Sequence, residues 1–160
     1  MANALFLQDL PIYTLSTSNV AALTNLSGTT AVGNVIDNRS SGATSAAAAM
    51  FSLTAQWTGV TTGITTGTDI ADLFLLPAID GTNYPQFDVT AGASQFPVNA
   101  YVCSFIQAAS TVTVSTNTLY NSPIVELFPA LYTAALKNQS GQTIASSWIL
   151  KVVPAKGSYT

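Results

Sequence analysis

The sequence contains no histidine, only one cysteine and very few charged residues. Without histidine the chain cannot build a Ser-His-Asp or Cys-His catalytic group, and it also lacks the commonest metal ligand. Cys103 alone cannot form an intrachain disulfide or a zinc site, and its apolar neighbours predict a buried, unreactive thiol. No glycine motif for binding phosphates or dinucleotides occurs. The sequence therefore predicts a protein that is not an enzyme and uses no metal or cofactor.

Charged residues make up 7% of the chain, against about 25% in ordinary globular proteins. The four basic residues are scattered and the net charge is −3, which argues against binding to nucleic acid. Serine and threonine are abundant instead, with 16 and 22 copies, and 48% of the chain is hydrophobic, so disorder is not expected. A hydroxyl-rich surface is cheap to desolvate and predicts a subunit that packs against other proteins. The alternative is compositional drift in a genome rich in alanine and threonine codons.

The seven carboxylates are spread along the chain without a flanking catalytic motif. A glycosidase would need two of them facing each other across a cleft, and nothing in their spacing marks such a pair. The segment Asp80-Gly81-Thr82-Asn83 brings oxygen ligands close together, but it lacks the acidic density of a calcium loop. We therefore predict a β-turn at this segment.

Apolar and polar residues alternate in many short segments, and helical periodicity is hard to find. Strands are predicted over residues 46–57, 70–76, 98–106, 111–115, 131–137 and about 143–153, with a weaker strand over 32–36. Pro77 is expected to end the second of these strands, and Asp80-Gly81 and Ser140-Gly141 mark turns. Strands that recur every 8–15 residues or so are typical of a sandwich or jelly roll. We predict an all-β fold with a single antiparallel β-sandwich.

The two tryptophans offer a choice between core packing and a sugar-binding platform. Trp57 and Trp148 both fall on the apolar face of their predicted strands. This position favours core packing. If they faced solvent instead, a carbohydrate-binding role would be favoured.

The length of 160 residues suits one domain, with an N-terminal arm or first strand over 1–20 and the sandwich over 21–160. The N-terminus lacks a basic leader, and no run approaches the ~18 apolar residues of a membrane helix. We therefore expect a soluble protein made in a cytosol, without a membrane partner. Residues 1–20 are apolar without a clear period, as in a first strand or an arm that docks on a neighbouring subunit. The candidate interface residues are Leu5, Phe6, Leu7, Ile12 and Tyr13.

Three turn-forming segments follow one another along the chain: Asp80-Gly81-Thr82-Asn83-Tyr84, then a proline-containing segment from Ser122 to Pro129, then Asn138-Gln139-Ser140-Gly141 before the last strand. Together they resemble small virion proteins of tailed double-stranded DNA bacteriophages. In that family a DGTNY turn is likewise followed by a segment with phenylalanine and proline and by an Asn-Gln-(Ser/Thr)-Gly turn. The resemblance covers roughly residues 45–153.

The resemblance implies a jelly-roll-like sandwich, with an extended N-terminal arm, that acts as a capsid decoration or cement protein. Such a protein sits on the capsid surface of a virion assembled in the bacterial cytoplasm, where it bridges and stabilises subunits of the major capsid protein. The implied partners are the major capsid protein and neighbouring copies of the chain itself, as a dimer or trimer. Two alternatives stay open: a tail or neck adaptor of the virion, and a carbohydrate-binding β-sandwich module.

Overall fold

The computed structural model describes residues 5–9, 12–16, 22–23, 34–39, 48–58, 64–65, 67–78, 80–84, 100–107 and 117–159. These residues form antiparallel strands joined by turns, and no α-helix occurs among them. No helix in this part of the chain is therefore long and apolar enough to cross a membrane. The predicted all-β fold with an antiparallel β-sandwich is confirmed.

Eleven strands are present among the described residues. They are β1 (Leu5–Asp9), β2 (Tyr13–Thr14), β3 (Ile36–Asp37), β4 (Ala48–Ala55), β5 (Trp57–Thr58), β6 (Asp69–Ala78), β7 (Tyr101–Ile106), β8 (Thr118–Glu126), β9 (Leu131–Asn138), β10 (Thr143–Ile144) and β11 (Ile149–Tyr159). The first sheet has the order β1-β11-β4-β8, and β2 also pairs with β11; the second sheet has the order β3-β9-β6-β7. Strands β5 and β10 form a small separate pair.

The alternating sequence of β4 explains why the first sheet has one buried face. Ala49, Phe51, Leu53 and Ala55 are buried, whereas the residues between them are only partly covered. Successive side chains of a strand point to opposite faces, so the predicted apolar face of this strand turns inward. The buried residues of both sheets form one cluster, which is the packed interior of the sandwich.

Strand β6 is buried on both faces, since Leu73 belongs to the interior whereas Phe74 and Leu76 pack in a second cluster with Ala100 and Ala135. The prediction that Pro77 ends this strand is wrong, because β6 continues through Pro77 to Ala78. Among the described residues β6 pairs with β7 only as far as Phe74. Proline fits an unpaired edge of this kind because it has no N–H to donate there.

Strand β8 was not predicted, because Pro123 interrupts the alternation of its sequence. The register between β4 and β8 shifts at this point: Met50 lies opposite Ile124 and Ser52 lies opposite Asn121. Ser122 and Pro123 together therefore face Phe51, which makes a β-bulge. The Phe51 N–H donates to the Ser122 hydroxyl oxygen at 2.8 Å, and that hydroxyl donates to the Pro123 carbonyl at 2.7 Å. The serine side chain thus replaces the backbone acceptor lost at the bulge.

Replacing Ser122 by alanine is expected to lower the free energy of unfolding by about 1–3 kcal/mol, because the buried N–H of Phe51 loses its acceptor. Urea unfolding followed by circular dichroism measures this change. Ser146→Ala is the matched control, since Ser146 is exposed and its loss is expected to cost less than about 0.5 kcal/mol. Equal losses in the two variants would show that the Ser122 hydroxyl does not support the bulge.

The single C-terminal strand predicted over about 143–153 is present as two strands, β10 and β11. Ser147 between them has a φ of 74°, a left-handed conformation that a strand does not tolerate. The chain turns there and enters β11, whose Leu150 and Val152 are buried. β11 then pairs with β4 on one side and with β1 and β2 on the other.

The predicted turns at Asp80-Gly81 and Ser140-Gly141 are confirmed. Gly81 and Gly141 have φ angles of 77° and 75°, which glycine adopts without steric cost. The weak strand predicted over 32–36 contributes only Ile36 to β3, and residues 32–33 lie outside the described part of the chain, as do residues 111–115. The jelly-roll connectivity and the division of the chain at residue 20 stay predictions.

Candidate interaction surfaces

The five residues predicted to form an interface lie along one edge of the first sheet. Leu5, Phe6 and Leu7 are on β1, opposite Tyr159, Ser158 and Gly157 of β11; their side chains lie outside the described part of the structure. This segment is therefore hydrogen-bonded to the last strand of its own chain.

The other two predicted interface residues differ in exposure. Ile12 is 61% exposed, whereas Tyr13 is half-buried and packs against the interior. Successive residues of an extended chain point to opposite sides, so Ile12 lies on the outer side of the sheet. Of this pair, Ile12 offers the larger exposed surface to another molecule.

Ile12 belongs to a larger apolar surface on the outer side of the first sheet, which we call the open face. It is made by the outward residues of β8, β4 and β11 and by the start of β2. Its large apolar members are Ile12, Met50, Leu119, Ile124, Ile149 and Val153. Ile124 and Leu119 are 71% and 61% exposed. Large exposed apolar patches on soluble proteins mark contact surfaces.

Across the sheet, the open face is arranged in rows that the strand register defines. Ile124, Met50 and Val153 lie side by side on β8, β4 and β11, and Leu119, Thr54 and Ile149 form a parallel row. Between these rows lie Asn121, Ser52 and Lys151, and beyond the first row Glu126 lies opposite Ala48. Among the side chains of this face that the structure describes, those of Lys151 and Glu126 are the only charged ones.

A second apolar surface is a groove of about 610 Å³ where the edges of β7 and β8 approach each other. Its walls include Leu75, Pro77, Tyr101, Val125 and Phe128, and Glu126 is the one charged residue that lines it. Phe128 is 75% exposed, so its ring is available at the mouth of the groove. We refer to this site as the Phe128 groove.

The loop that carries Phe128 is held in place by hydrogen bonds to its backbone. The Phe128 carbonyl accepts from the Asn38 side-chain amide at 2.9 Å and from the Tyr132 hydroxyl at 2.9 Å. The Asn38 N–H donates to the Ala130 carbonyl, also at 2.9 Å. Burial of Tyr132 raises the pKa of its phenol, which therefore keeps its proton and donates at neutral pH. These bonds hold the backbone of the loop, so the Phe128 ring is presented from a fixed position on the surface.

The tryptophans do not contribute to either surface. Trp57 and Trp148 are 1% and 3% exposed, which confirms the prediction that they pack in the core. Trp57 meets Tyr120 edge to face, with ring centroids 6.4 Å apart, an arrangement typical of core aromatics. The exposed aromatic rings among the described residues are those of Tyr101 and Phe128.

Two of the described carboxylates, those of Asp37 and Asp80, are hydrogen-bonded by neighbouring groups of the chain. Asp80 accepts hydrogen bonds from the Asn83 N–H, the Asn83 side-chain amide and the Thr82 N–H, which lower the pKa of its carboxyl. Asp37 binds Arg39 through both oxygens at 2.8 Å, and this contact lowers its pKa. The carboxylate of Asp80 therefore stabilises the predicted β-turn by accepting hydrogen bonds from residues within it.

Asp72 anchors a polar network on the second sheet. Its two oxygens accept from the Ser104 hydroxyl at 2.7 Å and from the Gln139 side-chain amide, and the Ser104 hydroxyl also hydrogen-bonds the Tyr101 hydroxyl at 2.9 Å. These contacts tie together the neighbouring strands β6 and β7 and the end of β9. The Asp72 carboxylate therefore stabilises the pairing of strands in the second sheet.

Cys103 is buried, as predicted. Removal from water raises the pKa of its thiol to about 11, so the thiolate that would attack an electrophile or bind a metal is scarce at neutral pH. No group of three or more His, Cys, Asp and Glu side chains able to hold a metal ion occurs within the described ranges.

The predicted interface residues include Ile12, but they include neither the other apolar members of the open face nor Phe128. The signal for Leu119 was present, since it alternates with the buried Tyr120, but the bulge at Pro123 shifts the alternation by one residue. If strict alternation is extended from Leu119 without the bulge, Ile124 is predicted to point inward, whereas it points outward.

No protein-family model matches this sequence, and no curated protein is similar enough to count as a relative.

Proposed function

We propose that this chain is a structural protein of a bacteriophage virion, of the capsid decoration or cement type. The observation that carries the proposal is the large apolar side chains exposed outside a complete sandwich core, on a surface with very few charges. A protein that worked alone in solution would gain nothing from this surface, and a subunit buried among neighbours would be stabilised by it. The resemblance of the turn segments to virion proteins supports the virion as the assembly in which the chain is buried.

The Phe128 groove is the proposed contact with the major capsid protein. An aromatic side chain on a braced loop loses little conformational entropy on binding, and aromatic anchors carry much of the energy of protein interfaces. The predicted contacts at Leu5, Phe6, Leu7, Ile12 and Tyr13 extend the proposal to the first sheet edge. Each contact is small, but repetition over the shell makes the sum large, and binding only the assembled shell stabilises it by mass action.

Virions assembled without this protein are expected to lose their DNA at a lower temperature than complete virions. Adding back the purified chain is expected to restore heat tolerance, and Phe128→Ser is expected to weaken restoration by at least about tenfold in required concentration. Ile106→Ser is the matched control, because Ile106 is 49% exposed and lies outside the groove. Dye access to packaged DNA during a temperature ramp provides the measurement.

Complete virions that contain none of this protein would overturn the proposal. Counting copies per virion by quantitative mass spectrometry separates its two virion forms. A cement protein is expected in numbers comparable to the major capsid protein, whereas a tail or neck adaptor occurs in few copies. If the two serine variants restored heat tolerance equally, the shell contact would lie outside the Phe128 groove.

The carbohydrate-binding alternative loses its main support, because the buried indoles of Trp57 and Trp148 cannot stack on a sugar. Tyr101 and Phe128 are the remaining exposed rings among the described residues, and both line the Phe128 groove. Calorimetric titration against a broad glycan panel tests this alternative. Binding that Phe128→Ser abolishes would favour it over the cement role.

A further inference from the structure

We propose that two copies of this chain associate through their open faces, as a two-fold dimer in which Lys151 of one copy meets Glu126 of the other. The dimer goes beyond the virion role and does not depend on it, because it concerns the isolated protein. Its basis is the placement of two opposite charges on a sheet face whose other described side chains are uncharged.

The strand register places the two charges symmetrically about Met50. Lys151 lies on β11 opposite Ser52, and Glu126 lies on β8 opposite Ala48. Ser52 and Ala48 are each two residues from Met50 on the central strand β4, in opposite directions. With strands about 4.8 Å apart and residues about 3.3 Å apart along a strand, Lys151 and Glu126 are about 16 Å from each other. Met50 is the midpoint between them.

This distance prevents the two charges from pairing within one chain, and no ion pair involving either occurs in the described part of the structure. A two-fold axis that lies in the interface, passes over Met50 and runs perpendicular to the line from Lys151 to Glu126 exchanges the two positions. Each copy then sets its Lys151 against the partner copy's glutamate and its Glu126 against the partner copy's lysine. Two-fold interfaces are self-complementary in this way, since each contact occurs twice.

A second copy is the partner that this face fits best. Any other occupant would need its own apolar surface with an acid and a base at matching positions. A second copy has both, because it carries the same Lys151 and Glu126. Two sheets pack face to face when apolar side chains interdigitate between them, and the rows through Met50 and Leu119 supply such side chains. The exposed Ile124 and Leu119 would lose their contact with water in the dimer, which favours association.

The size of the face sets the expected affinity. Four strands in width and about seven residues in length give a face of roughly 19 by 23 Å. Two such faces bury about 900 Å² in total, which is the size of a weak interface below about 1,200 Å². We therefore expect a dissociation constant in the micromolar range, about 1–100 μM. Dimers this weak would be strengthened where many copies are held on one surface.

Reversing one charge and then both tests the dimer. Sedimentation velocity of the full chain over about 1 μM to 1 mM, a range that brackets this affinity, is expected to show a monomer–dimer equilibrium. Lys151→Glu and Glu126→Lys are each expected to raise the dissociation constant at least about tenfold, because like charges then meet twice across the axis. The double variant carrying both changes is expected to return to within about threefold of the unchanged protein, since opposite charges meet again.

Asp69→Lys serves as the control, because Asp69 is an exposed carboxylate on β6 of the other sheet and its reversal is expected to leave the equilibrium unchanged. Circular dichroism and thermal unfolding of each variant confirm that the fold is retained. A protein that stays monomeric up to 1 mM, the upper limit for a weak specific pair, overturns the proposal. A trimer, or a dimer that the single reversals do not weaken or the double variant does not restore, overturns it as well. Because no virion is used, these results are independent of the test of the cement role.

Discussion

Leu53→Ala is expected to lower the free energy of unfolding by about 3–5 kcal/mol, one of the largest losses that a single change in this protein can cause. Leu53 is 0% exposed, lies on the central strand β4 and faces the second sheet. Truncating a fully buried leucine removes its burial and leaves a cavity that packed neighbours fill only in part. Denaturant unfolding followed by circular dichroism measures the loss.

Leu119→Ala is the matched control for this prediction. Leu119 lies opposite Thr54, next to Leu53 along β4, but it points outward and is 61% exposed. The same chemical change is expected there to cost less than about 1 kcal/mol in the monomer, since the side chain is already in water. If both variants lost similar stability, the assignment of inner and outer faces on the first sheet would be wrong. The comparison is made at concentrations below the dimer range, so that association does not contribute.

Asn138→Ala is expected to cost about 3 kcal/mol or more, although an asparagine in a turn motif is usually replaceable. Asn138 is 0% exposed. Its amide donates to the Leu23 carbonyl at 2.8 Å and to the Gln142 carbonyl at 2.6 Å. Its carbonyl oxygen accepts from the Ser140 N–H at 3.0 Å and from the Ser140 hydroxyl at 2.7 Å. Alanine would leave several buried polar groups without partners, and each such group costs about 1–3 kcal/mol.

Asn121→Ala provides the comparison for Asn138, because Asn121 is exposed on β8 and its loss is expected to cost less than about 0.5 kcal/mol. Thermal unfolding of both variants against the unchanged protein gives the two losses. The proposed role of Asn138 fails if its variant unfolds within the error of the Asn121 variant. Retained stability would mean that water reaches the turn and replaces the lost donors and acceptors.

The sequence alone predicted those strands in which alternation is uninterrupted. The inner faces of β4 and β9 follow directly from residues spaced by two, because successive side chains of a strand point to opposite faces of its sheet. The turns at Gly81 and Gly141 were predictable for a local reason: few residues other than glycine accept a positive φ at those positions. The core placement of Trp57 and Trp148 followed from the same alternation.

The unpredicted strand β8 and the misplaced end of β6 share a physical cause. Pro77 and Pro123 each remove one backbone donor, and whether a strand survives this loss depends on its neighbours. Pro77 is tolerated where β6 has no partner on its β7 side among the described residues, and Pro123 is tolerated because the Ser122 hydroxyl accepts from the Phe51 N–H. The sequence around each proline shows neither where the pairing of β6 with β7 ends nor that Phe51 lies opposite Ser122.

What the sequence by itself determined is the chemistry of this protein: no histidine, one cysteine, few charges and alternating apolar residues that favour a β-sandwich. Only the tertiary structure decided where the outward apolar residues gather. It turned Ile124 to the open face through a bulge, buried Asn138 beside the turn at Ser140-Gly141 and placed Lys151 and Glu126 on either side of Met50. The physical reason is that pairing between strands distant along the chain sets register, and register decides which side chains share a face.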